Sequence, residues 1–280
     1  MLEFPEIICL REQMRSSLIG KKIINLFLLR SEKLIRWGFI DQTQEVFEQR
    51  LLNATITNIK SKNNYLYLDT DSNHTLILGD FDGKIVYHPS EKTIPKQIYL
   101  KLDFSDGTFL TATVKLWGYI KVFTAKEKIQ HQRELDARGI EPTSSDFTEA
   151  NFRNFVKYYQ DAKRTNVKKF ITAGKYVGGL GNGYLQEILY RSKLHPRRKL
   201  NTLSDEEQKS FYQSIRDVVV EGIEKGGRHM EKDLFDQPGK FVPKLYKDTV
   251  GNPCSDCGTA IEKFQFEGGA CYICPNCQRI

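Results

Sequence analysis

The sequence predicts an α+β chain: an N-terminal helix, a long run of short strands, a helical region and a small cysteine-rich module at the C-terminal end. Three observations carry this. Ile7, Leu10, Met14 and Leu18 recur at spacings of three and four, the stripe of a half-buried helix. Between residues 21 and 123 the pattern changes to short runs rich in β-branched and aromatic residues, divided by turn signals. Five of the six cysteines fall at or after position 254. A length of 280 residues suits one large domain or two ordinary ones.

The first helix is expected over residues 3–20, closed by Gly20. Strands are expected at Ile23–Leu29, Ala54–Ile59, Tyr65–Asp69, Leu76–Gly79, Ile85–Tyr87, Ile98–Phe104, Thr108–Val114 and Tyr119–Phe123. Asp71-Ser72-Asn73, Asp82-Gly83 and Ser105-Asp106-Gly107 supply turns between them, and this spacing suggests a β-sandwich or barrel. The charged stretch 124–145 ends in Gly139, Pro142, Thr143 and Ser144 and reads as a linker. Helical patterns follow at 147–160, 162–173, 181–193 and 204–225, the last opened by a Ser204/Glu207 capping box. Residues 226–253, rich in Gly, Pro and Lys, read as loop. The expected division is therefore a domain over 1–125, a linker over 126–145, a helical domain over 146–245 and a cysteine module over 246–280.

Composition narrows the class. The chain is 40% hydrophobic and 28% charged, and no run of about 18 apolar residues exists to cross a membrane. Glu3 and Glu6 stand where a signal peptide would carry positive charge, so a cytoplasmic chain with no membrane partner is expected. With 20 Gly and 9 Pro, extensive low-complexity disorder is not expected. The net charge of +7 is unevenly spread: residues 151–200 hold twelve Lys and Arg against Asp161 and Glu187, while the other 230 residues carry 30 basic and 33 acidic groups. Concentrated basic charge is the footprint of a surface for a polyanion; a solvated lysine-rich face is the plain alternative.

Cys254-Ser-Asp-Cys257 and Cys274-Pro-Asn-Cys277 form two CxxC knuckles. Four thiolates on two tight turns can close a tetrahedron around Zn2+ with no open position, so a structural zinc site is expected. Cys271 and Cys274 also have CxxC spacing; Pro275, which pre-sets a turn, favours 274/277, and Cys271 and Cys9 then read as small buried or incidental thiols. In the basic stretch, Gly178-Gly179-Leu180-Gly181-Asn182-Gly183 precedes a helix start, where backbone amides can approach a phosphate. No parallel βαβ context surrounds it, so dinucleotide binding is not expected and a nucleic-acid phosphate is the more natural anion.

Several motifs, in order along nearly the whole chain, resemble the formamidopyrimidine-DNA glycosylase/endonuclease VIII family. They are Met1-Leu2-Glu3-Phe4-Pro5-Glu6, Arg138-Gly139-Ile140-Glu141-Pro142 with Asp146-Phe147, the Gly-rich turn with Asn182, Leu194-His195-Pro196, Glu224-Lys225-Gly226-Gly227 and the four-cysteine finger. The resemblance implies an N-terminal helix on a β-sandwich, a helix–two-turns–helix domain and a zinc-finger hairpin. It implies a base-excision-repair glycosylase, with or without lyase activity, that binds damaged or abasic duplex DNA as a nucleoid-associated monomer and extrudes the target nucleotide. It gives Glu3 and Glu6 catalytic roles and has Asn182 and Lys168 hold backbone phosphates.

The chain departs from the family pattern at four places. Position 2 is Leu, where the family uses the amine of a proline. Leu2 should hinder removal of Met1, so the free amine becomes that of Met1, displaced by about 3.8 Å, one Cα step. Asn64 stands where the family's hairpin lysine belongs, with Lys62 or Lys60 the nearest substitutes. Gly269 stands about where a phosphate-contacting arginine belongs. Lys115-Leu116-Trp117-Gly118 replaces the wedge motif, leaving Trp117 to stack on bases and Phe81 as a second insertion residue. Three functions follow: a glycosylase in which Met1 acts or Glu3 activates water, a non-catalytic protein that binds damaged DNA or DNA structures, or an RNA-binding zinc protein.

Overall fold

The computed structural model describes residues 1–29, 32–158 and 164–280, and the chain divides into two compact units, 1–135 with 225–240 and 136–224 with 241–280. The first unit begins with helix α1 (Phe4–Leu18), which buries Ile7, Leu10, Met14 and Leu18 as their spacing predicts. Strand β1 (Ile23–Leu28) follows, then two short helices, α2 (Glu32–Arg36) and α3 (Gln44–Leu51). The remaining strands are β2 (Ile56–Lys62), β3 (Tyr65–Thr70), β4 (His74–Gly79), β5 (Gly83–His88), β6 (Leu100–Phe104), β7 (Phe109–Val114) and β8 (Tyr119–Thr124).

They form two antiparallel four-stranded sheets, ordered β1-β6-β7-β5 and β2-β3-β4-β8. Leu26, Leu100, Leu102 and Leu110 of one sheet share a core with Ile59, Leu66, Leu76 and Ile120 of the other, and α1 and α3 add Leu10, Met14 and Phe47. This is the sandwich with a helix on it. Asn63 (φ 52°), Asn73 (φ 60°) and Gly107 (φ 80°) make its turns, residue types that tolerate the left-handed region.

Helix α4 (Ala125–Asp136) occupies much of the stretch expected as linker, and Leu135 anchors it by burial with Tyr65, Tyr67 and Ile77. Its high charge hid the one apolar anchor. A second difference is that 225–240 groups with the first unit rather than with the helical domain. Tyr87 N donates to Leu234 O, and Leu234 is fully buried in the sandwich core.

The second unit holds α5 (Glu149–Tyr158), α6 (Val167–Thr172), α7 (Asn182–Arg191) and α8 (Asp205–Glu224), then the hairpin β9 (Glu262–Phe266) and β10 (Gly269–Ile273). The parts of the two expected helices that fall on 159–163 lie outside the described residues. Phe152, Phe170, Tyr176 and Phe211 pack as an aromatic core, with Phe170 stacked on Tyr176 at 4.8 Å. The Arg138–Pro142 motif braces the Gly-rich turn: Gly139 N donates to Gly174 O, Ile140 N to Tyr176 O, and Gly178 N to Ile140 O. A Cβ at Gly139 would stand 2.5 Å from the Tyr176 carbonyl carbon, so this approach requires glycine.

Candidate functional site

Glu3 and Glu6 lie at the start of α1. Glu3 is the N-cap, and its N–H donates to Glu6 Oε2 at 2.9 Å, one half of a capping box. Both carboxylates are buried, at 2% and 3% exposure, so both require partners. Arg228 supplies them. Its backbone N–H donates to Glu6 Oε1 at 2.9 Å and its guanidinium reaches Glu6 Oε1 and Oε2, each at 3.1 Å. The same group lies 3.4 Å from Glu3 Oε1 and donates to Met1 O at 2.7 Å.

Gly227 makes this approach possible. It adopts φ +91°, and a Cβ there would stand 2.9 Å from Glu6 Cγ. The Met1 ammonium pairs with Glu231 at 3.0 Å and lies 3.5 Å from Asp82, while Leu2 is buried and donates its N–H to Phe81 O at 2.8 Å. The nearby Cys9 thiol is pushed up to about 11 by burial and by Glu6, which keeps it an inert thiol.

On the β2–β3 hairpin, Lys62 is half-buried opposite Tyr65. Asn64 Nδ2 and Tyr65 OH both donate to the Asp80 carboxylate. Beyond it, Asp80 adopts φ 47° and Phe81 turns into the core, 1% exposed. This corrects the expectation that Phe81 inserts between bases, because its ring already packs in the sandwich core. The β7–β8 tip is tied back by Lys115 N to Asp82 O and Asp82 N to Trp117 O. Lys115 is exposed and Trp117 half-buried, and the apolar side chain most open to solvent on that tip is Leu116, at 49%.

In the second unit the structure brings Asn182 and Lys168 together on one hairpin. Asn182, the first residue of α7, donates through Nδ2 to Ala270 O at 3.0 Å, and Gln186 Nε2 donates to the same carbonyl at 3.1 Å. Gln186 Oε1 accepts from Tyr272 N at 3.0 Å. Lys168 is 1% exposed, and its ammonium donates to Phe266 O at 2.6 Å and Gly269 O at 3.1 Å, with Cys271 Sγ at 3.4 Å. The expectation that Lys168 holds a phosphate is thereby revised: its buried ammonium is spent on hairpin carbonyls and acts by fixing the hairpin.

Cys254, Cys257, Cys274 and Cys277 bring their sulfurs within 4.8 Å of one another. The closer separations are 3.4 Å for 257/274, 3.5 Å for 257/277 and 3.9 Å for 254/277. Four sulfurs about 2.3 Å from a central zinc would be separated by about 3.8 Å, so the donor set fits a tetrahedral metal ion. Cys271 is outside the cluster, fully buried beside Lys168, which settles the 271/274 ambiguity. Tyr190 OH lies 3.1 Å from Cys254 Sγ, a contact from α7 into the cysteine cluster.

Sequence reasoning missed Arg228, Glu231 and Gln186. Arg228 follows the Gly226-Gly227 pair at once, but nothing in the spacing linked it to carboxylates 222 positions away. Gln186 is one turn after Asn182 and was legible as an i, i+4 neighbour.

Comparison with known proteins agrees along the whole chain. The family model for the formamidopyrimidine-DNA glycosylase N-terminal domain matches residues 1–114, and the model for the formamidopyrimidine-DNA glycosylase H2TH domain matches residues 138–233. The formamidopyrimidine-DNA glycosylase of Heliobacterium modesticaldum is 31% identical over 289 residues, covering 100% of both chains. That of Enterococcus faecalis is 29% identical, covering 100% of this chain and 98% of its own. Among solved structures, Lactococcus lactis Fpg in complex with abasic-site DNA aligns over 100% of both chains, with TM-score 0.87 and 25% identity. The Lactococcus lactis complex with DNA containing N7-benzyl-Fapy-dG aligns equally well, with TM-score 0.87.

Proposed function

Because the chain belongs to the formamidopyrimidine-DNA glycosylase family, we propose that it is a base-excision-repair DNA glycosylase that binds damaged duplex DNA and removes an extruded base. The observation that carries the reading is the buried Glu3–Glu6 pair at the head of α1, held by Arg228 beside the chain's own α-amine. A pair of buried carboxylates with a fixed cation is costly to maintain for stability alone, and at a catalytic centre it supplies an oriented base.

We propose that excision proceeds without strand incision. Glu3 accepts a proton from water, the water oxygen bonds to the sugar C1′, and the damaged base leaves with the electrons of the N-glycosidic bond. Met1 is the less suitable nucleophile. Its ammonium is paired with Glu231 and lies near Asp82, and it must lose both a proton and those partners before it can attack. Asn182 and Gln186 hold the hairpin, and Lys115, Leu116 and Trp117 supply the surface that enters the gap left by the base. The cysteine cluster holds a structural zinc ion that stabilises the hairpin and takes no part in the bond changes.

The test is a panel of damaged and abasic duplexes, divided into borohydride-trapped, heated and alkali-treated portions. Strand breaks only after alkali are expected, and Glu3→Gln should lower excision by about 10²- to 10⁴-fold with little change in affinity. A borohydride-trapped adduct at Met1 would replace the water mechanism with an amine mechanism. Bound but intact DNA in every portion would leave a non-catalytic damage-binding protein, a reading favoured by the engagement of both glutamates with Arg228.

A further inference from the structure

One face of the hairpin carries a second cation besides Lys168. Gly269 pairs with Phe266 and Cys271 with Phe264, and strand alternation puts these four residues on the same face. His195 stacks flat on Phe264, with centroids 5.6 Å apart and planes 5° apart. Arg197, two residues on in the loop after α7, lays its guanidinium carbon 4.8 Å from the Phe264 ring centroid and 5.4 Å from that of Phe266. Its backbone N–H donates to His195 Nδ1 at 3.2 Å, which fixes the loop beneath it.

Arg197 is exposed and, among the described residues, makes no ion pair. Glu267, the acid at the hairpin tip, accepts instead from Asn166 Nδ2 at 3.1 Å. Two aromatic rings therefore restrain the guanidinium without cancelling its charge, and its edge stays open to solvent. A planar fork held this way is preorganised for two oxygens of one phosphodiester.

The same face would receive a side chain from position 269. A Cβ there would stand 3.3 Å from Lys168 Nζ and 3.6 Å from Asn182 Cγ. Position 269 has no side chain, and Lys168 is buried against carbonyls, so the exposed cation of this face comes from the loop after α7.

We propose that Arg197 is the residue with which this hairpin grips a DNA backbone phosphate, its guanidinium carried onto the hairpin by Phe264 and Phe266. The proposal rests on the DNA-binding reading above. It assigns the contact to a residue outside the cysteine hairpin and gives Phe264 and Phe266 the role of a platform.

The experiment titrates a fluorescent duplex containing a stable abasic analogue against wild type, Arg197→Ala, Arg197→Lys and Arg197→Ala/Gly269→Arg, over a range of salt. Lys209→Ala, which removes an exposed charge from α8, is the control. Arg197→Ala should bind roughly ten- to a hundredfold more weakly, and its plot of log affinity against log salt should be shallower by about 0.9. Arg197→Lys should keep the slope and lose part of the affinity, Gly269→Arg should restore both, and the control should match wild type. Arg197→Ala with wild-type affinity and slope would overturn the proposal. Weaker binding with an unchanged slope would also overturn it, because the residue would then be shaping the hairpin. If wild type binds no duplex, the DNA-binding reading fails first and this proposal falls with it, an outcome distinct from the other two.

Discussion

The cations at the head of α1 and those at the C-terminal hairpin are restrained by opposite means. Arg228 is surrounded by Glu3, Glu6 and Glu231, and the Met1 ammonium by Glu231 and Asp82. At the hairpin, Lys168 is held by two neutral carbonyls and Arg197 by two aromatic rings. Carboxylates fix a cation and cancel its field; carbonyls and rings fix it and leave the field to act outward. On the proposals above, the first group orients protons and electron pairs over short distances, while at the hairpin Lys168 fixes the fold and the exposed Arg197 is left to meet a polyanion.

The largest effect that tests this contrast comes from metal removal. Structural zinc binding in small cysteine modules contributes about 10–16 kcal/mol. One zinc per chain is expected by elemental analysis. Stripping it, or Cys254→Ser, should abolish tight DNA binding, whereas Cys271→Ser should keep the metal. DNA affinity that survives complete removal would mean the hairpin cations are not part of the grip.

Next in size, Arg228→Met leaves Glu3 and Glu6 buried without their cation. A loss of about 3–5 kcal/mol is expected, read as a fall in melting temperature of roughly 10 °C, with DNA affinity and salt slope nearly unchanged. Adding Glu6→Gln should recover part of the loss. A salt slope that drops in Arg228→Met would erase the distinction between the two groups.

The smallest effect is shared by both units. Burial lowers the pKa of His88, set between the Thr93 and Thr111 hydroxyls, and burial together with Arg197 lowers that of His195. Each histidine binds a proton less readily folded than unfolded. Their contribution is therefore complete above the ordinary value of about 6.5 and is lost as pH falls through the lowered folded values. Melting temperature should decline between pH 7 and pH 5, less steeply in His88→Gln. A flat profile over that range would show that neither site excludes the proton.

Much of this was legible in the sequence because its signals are local. All eight sandwich strands, the first helix and both CxxC knuckles follow from periodicity and spacing a few residues long. Helices α2 and α3 escaped because each is short, and α4 because Leu135 is its one buried apolar residue, with further hold on the sandwich coming from the ring of His131 among Tyr65, Tyr67, Tyr119 and Phe123. The sheet order and the return of 225–240 to the first unit were out of reach, since they depend on pairings between distant segments. The same limit applied to the site: Glu3 and Glu6 were named, but their partner Arg228 was not. Phe81 looked like a loop-tip aromatic, and only the left-handed turn at Asp80 reveals that it faces inward.

Leu2 is a core residue that also gives its N–H to Phe81 O. Proline has no N–H to give and fills less space, so Leu2→Pro would forfeit a buried hydrogen bond worth about 1–3 kcal/mol together with apolar packing. Position 2 is therefore a structural position as well as the neighbour of the terminal amine. A chain with proline at position 2 would have to repack the sandwich around Phe81 as well as present a different amine, so the residue beside Met1 couples the stability of the core to the chemistry at its edge.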